Sequence, residues 1–140
     1  MKLVVIDGQS GRTGALLVER VRAAGLPLEL LAVGTNAIAT AAMMKAGAQW
    51  GATGENPVLV ACRDADLIIG PIGIVIADSL LGEITPAMAA AIGQSRAQKI
   101  LIPVSGISYC RHILVGTQNL PMNEYIHLAA EEAAAYLNHI

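Results

Sequence analysis

Gly8, Gly11 and Gly14 recur at every third position of Asp7-Gly8-Gln9-Ser10-Gly11-Arg12-Thr13-Gly14, directly after the apolar run Leu3-Val4-Val5-Ile6. A phosphate approaches the main chain closely only where no Cβ stands in the way, and a turn from strand to helix calls for the positive φ that glycine adopts at little cost. The helix that follows offers unpaired N–H groups and the positive end of its dipole. Ser10 and Thr13 add hydroxyl donors to this turn, which also contains Gln9, and Arg12 adds a charge that suits an anion. These residues predict a phosphate cradle from Gly8 to Gly14, and the flanking strand and helix carry that expectation more than the glycine spacing itself. The competing reading is a tight glycine turn that binds nothing.

Such a cradle needs a strand and a helix to hold it. Arg12 to Ala24 places Leu17, Val18, Val21 and Ala24 on one side and Glu19, Arg20 and Arg22 on the other, the spacing of an amphipathic helix, with Gly25 and Pro27 as its stop. Leu28 to Val33 reads as a buried strand and closes a first β-α-β unit. In the usual dinucleotide fold the second strand ends in an acid that receives the ribose hydroxyls. Here it ends Val33-Gly34-Thr35-Asn36, with no carboxylate and no basic residue for a 2′-phosphate. Gly34, Thr35 and Asn36 are therefore candidates to touch a ribose or phosphate, while Thr35 and Asn36 equally suit the cap of the next helix, Ala37 to Ala46. That helix is apolar on all sides and is expected to be buried or in an interface.

Ala48 to Thr53 holds a short strand around Trp50, which is expected to pack in the core, and Asn56-Pro57 marks a helix running to Ala65. After the strand Leu67 to Gly70, the segment Gly70-Pro71-Ile72-Gly73 stands at a carboxyl strand end, where open parallel sheets place their ligands. Asp78 and Ser79 interrupt the apolar run Ile74 to Leu81. A buried carboxylate needs a partner, so Asp78 either orients a ligand hydroxyl or caps a turn. Thr85-Pro86 opens a helix to Ala97, Lys99 to Val104 is a strand, and Ser105 or Ser108 beyond it would face the same cleft. His112 to Val115 reads as a last short strand and Met122 to Asn138 as a final helix. The alternation predicts a single α/β domain over residues 1–140, a three-layer sandwich with a mostly parallel sheet of five or six strands.

Composition narrows the partners. With 54% hydrophobic and 14% charged residues and no Phe, too little charge is present to cover the surface, so a homodimer or higher homo-oligomer is expected. A net charge of -2 with scattered Lys and Arg argues against nucleic acid. The longest uncharged run, Leu30 to Met44, is too short to span a bilayer, and Met1-Lys2 entering a strand without an export leader points to the cytoplasm. Cys62 and Cys110 suggest no disulfide framework. Cys110 and His112 offer two ligand types, but no further ligands are nominated and no metal is assigned. Neither Ser105 nor Ser108 has a recognisable base beside it in sequence, so no nucleophile is claimed and no catalytic residue is assigned.

Lys2 to Gly73 resembles the nucleotide-binding half of extended and atypical short-chain dehydrogenases and reductases. The likeness rests on Val5-Ile6-Asp7-Gly8-Gln9-Ser10-Gly11-Arg12-Thr13-Gly14 and the Gly51-to-Gly73 succession of loop, helix, strand and glycine. It implies a Rossmann-like fold with a cofactor such as NAD or NADP across Gly8 to Gly14 and near Gly70 to Gly73. The Tyr-x-x-x-Lys pair of that family is missing, since no lysine stands four residues after Tyr109, Tyr125 or Tyr136. Along its full length the chain is similar to an uncharacterised family of short bacterial proteins. The shared words are Gly34-Thr35-Asn36-Ala37-Ile38-Ala39-Thr40, Gly51-Ala52-Thr53-Gly54-Glu55-Asn56, and Gly70-Pro71-Ile72-Gly73 through Gly82-Glu83-Ile84-Thr85. That resemblance implies a shared fold and brings no catalytic residues.

The resulting expectation is a non-catalytic or accessory module that binds NAD, NADP or another nucleotide. The alternatives are a small NAD(P)-dependent oxidoreductase completed across a dimer, with Asp78, Ser105 or a partner residue at its site, and a structural protein whose glycine loop is empty.

Overall fold

The computed structural model describes residues 1–104 and 109–139. Strands β1 (Lys2–Asp7), β2 (Glu29–Gly34), β3 (Trp50–Thr53), β4 (Leu67–Pro71) and β5 (Gln98–Ile102) alternate with helices α1 (Arg12–Ala23), α2 (Ala37–Ala46), α3 (Glu55–Ala61) and α4 (Pro86–Gln94), and α5 (Met122–Asn138) closes the chain. The strands form one parallel sheet in the order β3-β2-β1-β4-β5. In β1 at the centre, Val5 pairs with Ala32 of β2 on one side and Ile69 of β4 on the other.

Alternation along the strands separates the two layers of helices, because successive side chains in a strand point to opposite faces. Leu3 and Val5 of β1 pack with Leu17, Val18 and Val21 of α1, Met43 of α2 and Ile126 and Ala129 of α5. Val4 and Ile6 face the other way, onto Val58 of α3 and Met88 and Ile92 of α4. The five-stranded parallel sheet between these layers agrees with the α/β sandwich expected from the alternation of elements. Both faces of the central strands are covered, which is why their sequence is continuously apolar.

Several boundaries move. The helix expected from Pro57 begins at Glu55 behind Gly54 and ends at Ala61, with Pro57 inside its first turn, where proline removes no helical hydrogen bond. His112 to Val115 is not a strand. Ile113 and Val115 there are 90% and 93% exposed, so that apolar alternation faces solvent and has no strand to pair with. Trp50, expected in the core, lies on edge strand β3 and is 55% exposed. Helix α2 buries only Ala39 and Met43 and leaves Ile38 and Met44 exposed. Among the described residues no helix is long and apolar enough to cross a membrane.

Candidate functional site

The crossovers reverse direction between β1 and β4, so the loops leaving those two strands diverge to opposite faces and open a crevice at the carboxyl edge of the sheet. The glycine turn leaves β1 here. Gln9 takes φ +50° and Gly11 φ +72°, turning the chain from strand into α1. The glycines make room for the chain's own atoms. A Cβ on Gly11 would stand 2.7 Å from the Ala39 Cα of α2, one on Gly14 2.5 Å from Met43 Sδ, and one on Gly8 2.7 Å from Thr35 Oγ1. The spacing that reads as a phosphate cradle is thus also the spacing that lets α1 and α2 approach.

Two carboxylates organise the turn, and neither was singled out in the sequence as a site residue. Asp7, at the end of β1, accepts from Gly8 N–H through Oδ1 at 2.8 Å and from Gly14 N–H through Oδ2 at 2.6 Å, tying the start of the turn to the first turn of α1. It is the one buried charged side chain among the described residues. Burial pushes its carboxyl up to about 6, the Gly14 and Gly8 N–H groups work against that rise, and the neighbouring Glu83 carboxylate adds to it.

Glu83 comes from the segment between β4 and α4. Its Oε1 accepts from Gln9 N–H at 2.8 Å, from the Thr35 hydroxyl at 2.6 Å and from Asn36 Nδ2 at 2.8 Å. Partial burial pushes Glu83 up, but the Thr35 hydroxyl, the Gln9 N–H and the Asn36 amide together hold it below the usual carboxylate range. Asn36 also caps α2, its Oδ1 accepting from Ala39 N–H at 2.9 Å, while its Nδ2 donates to the Gln9 carbonyl at 3.0 Å. The residues nominated after β1 and β2 therefore do converge, and Glu83 joins them.

With Gly11 N–H on the Gly8 carbonyl, the turn's donors at Gly8, Gln9, Gly11 and Gly14 are taken by the chain itself. Ser10, Arg12 and Thr13 have no main-chain N–H partner among the described residues, and the last two begin α1, where helical geometry supplies none.

Beyond β4, Gly70 lies against the Ile6 carbonyl of β1, and one turn of 3-10 helix follows at Ile72–Val75. Pro71, Gly73 and Asp78 line a cleft of about 740 Å³ together with Leu80, Tyr109 and Arg111. Ile72 is not part of that lining. The volume is that of a small-molecule site. Asp78 is exposed rather than buried, at φ +64°, with its N–H on the Ile84 carbonyl. From Ile76 to Leu81 the run it interrupts is a turn with Asp78 at the surface, which removes the reason to expect a paired buried charge. Cys110 and His112 also line the cleft, and His112 Nε2 lies 2.8 Å from the Val104 carbonyl. Ser105 and Ser108 lie outside the described residues. The cleft and the glycine turn are joined twice: the Tyr109 hydroxyl donates to Gln9 Oε1 at 2.5 Å, and Leu80, part of the cleft wall, would stand 2.8 Å from a Cβ on Gly8.

This geometry defines a single-domain, doubly wound α/β protein with its open crevice at the strand-order reversal. The chain belongs to the family of the domain of unknown function DUF3842, which it matches over residues 2–138. No curated protein matches it. Among solved structures it is similar to the crystal structure of a dodecameric FMN-dependent UbiX-like decarboxylase from Escherichia coli O157:H7. The two share 17% identity at a TM-score of 0.48, over 99% of this chain and 77% of that one. The likeness of the N-terminal half to short-chain dehydrogenases finds no support in these comparisons.

Proposed function

We propose that this protein is a binding module for a nucleotide-like small molecule, held across the crevice between the ends of β1 and β4. The observation that carries this reading is the convergence at one sheet edge of the glycine turn Gly8–Gly14, the Gly34-Thr35-Asn36 end of β2 and the cleft bounded by Pro71, Gly73 and Asp78. The N–H groups of Ser10, Arg12 and Thr13, which have no partner among the described residues, suit a phosphate. The cleft beside them, walled by Leu80 and Tyr109, suits a flat or apolar group. NAD, NADP and simpler nucleotides all present that combination. The reading assigns binding and no reaction.

Two measurements test it. Mass spectrometry of the small molecules released on denaturation is expected to find a nucleotide, and calorimetry against NAD, NADP, FAD, FMN, ATP and AMP is expected to show binding of at least one. No binding of any at millimolar concentration would sink the proposal. The exposed Ile38, Met44 and Trp50 support a second copy of the chain as their cover. Light scattering on the same preparation is expected to give a mass above the 14.5 kDa of one chain, and a monomer would remove that part of the reading.

A further inference from the structure

The second strand of this fold ends without the acid that commonly receives ribose hydroxyls, yet the structure puts a carboxylate at that place from a distant segment. Glu83 is bonded at once to Gln9 after β1 and to Thr35 and Asn36 after β2. All three bonds fall on Oε1. Among the described residues Oε2 accepts no hydrogen bond, and the side chain is only half-buried, so this second oxygen is oriented by the first and open to a ligand.

The segment that delivers Glu83 is strained. Asp78, Leu80 and Leu81 all take left-handed φ, of +64°, +55° and +57°, a conformation leucine rarely adopts. The Glu83 N–H bonds the Leu80 carbonyl and the Ile84 N–H bonds the Ser79 carbonyl, holding the tight turn that aims the carboxylate at the sheet edge. Backbone strain of this kind persists where the surrounding structure over-determines it and clusters at ligand sites.

We propose that Glu83 supplies the hydroxyl acceptor that β2 lacks, its Oε2 receiving the vicinal diol of a ribose, so that the site selects an unmodified ribose over a 2′-deoxyribose or a 2′-phosphate. This rests on the reading that the crevice binds a nucleotide. A carboxylate accepts a hydroxyl proton strongly and repels a phosphate at the same position. The nearby Asp7 carboxylate adds to that repulsion, and among the described residues no lysine or arginine is bonded to either acid. The ligand's own phosphate is accommodated farther along the turn, at the N–H groups of Ser10, Arg12 and Thr13.

The test is calorimetry on the full chain with AMP, 2′-deoxy-AMP, NAD and NADP, repeated on Glu83→Gln. The wild-type protein is expected to bind AMP about tenfold or more tighter than 2′-deoxy-AMP, the loss typical of a hydrogen bond to a charged group, and NAD tighter than NADP. In Glu83→Gln the amide oxygen still accepts from Gln9, Thr35 and Asn36, and both preferences are expected to collapse toward unity. Equal affinity of wild type for AMP and 2′-deoxy-AMP would overturn the inference and leave the nucleotide reading standing. Failure of all four to bind would overturn both. The diol comparison on the wild-type chain tests the ribose reading whether or not Glu83→Gln folds, and the collapse of both preferences in a folded variant assigns them to Glu83. If Glu83→Gln does not fold, Glu83→Asp, which keeps the charge and withdraws the carboxylate by one methylene, is expected to lower the preference for AMP over 2′-deoxy-AMP severalfold, and an unchanged preference would overturn the inference.

Discussion

Gly11→Ala is expected to lower the stability of the fold by about 3 kcal/mol, a large share of what a domain of this size possesses. Two costs add at this position. Gly11 sits at φ +72°, where an L side chain meets its own carbonyl at a cost of about 1–2 kcal/mol. The new Cβ would also stand 2.7 Å from Ala39 Cα and 2.9 Å from Ala39 O. Those are backbone atoms of a packed helix, so relief requires α1 and α2 to separate, and overpacking of this kind costs about 1–3 kcal/mol. Gly25→Ala separates the two costs, since Gly25 has a similar φ of +64° but nothing within 4 Å of the added Cβ. It is expected to lose only the conformational part, about 1 kcal/mol. Urea unfolding of both variants is the measurement. Equal losses would show that the close approach of the two helices contributes nothing to the cost.

The protein is expected to gain stability as pH falls from 7 toward about 5, the reverse of the usual acid response, and Asp7 is the reason. Its carboxyl titrates at about 6 in the fold against an ordinary value of 3.8, so the folded state binds the proton more tightly than the unfolded chain. A group of this kind contributes its stability fully below the unfolded value and loses it as pH rises through the folded one. A displacement of roughly two pH units corresponds to about 3 kcal/mol between those limits. Glu83 acts in the other sense. Held below its usual range, it contributes stability at neutral pH that is lost as pH falls through its lowered folded value, which sets an acid limit to the gain. Urea unfolding of wild type and Asp7→Asn at pH 5, 6 and 7 is the check. The wild-type slope over this range is expected to disappear in the variant, because asparagine does not titrate. A slope that survives Asp7→Asn would assign the pH dependence to another group.

The same two acids show how far the site was legible in the sequence. Asp7 stood in plain view before the first glycine, but nothing in a linear reading says that both of its oxygens close on main-chain N–H groups six residues apart in the chain. The signal that was available is an acid ending a wholly apolar strand, which cannot be buried without donors to meet it. Glu83 gave no such signal. It lies in a turn 74 residues from Gln9, and its partners become neighbours only when β4 pairs beside β1.

Local features determined most of the architecture. Apolar runs and their glycine and proline punctuation placed all five strands to within two residues at each boundary, and also the start of α4 behind Thr85-Pro86 and the whole of α5. Periodicity, capping and turn chemistry are properties of adjacent residues, and they survive being read in one dimension. Where those features were ambiguous, at Trp50 and at His112 to Val115, the outcome depended on whether a neighbouring strand or helix was there to cover the side chain. The sequence by itself thus determined a strand, a glycine turn and a helix at Leu3 to Gly14 within an α/β domain. Only the tertiary structure decided what fills that turn. Strand order is set by long-range packing, and that order brought the Glu83 carboxylate onto the end of β2, where the chain has no acid of its own.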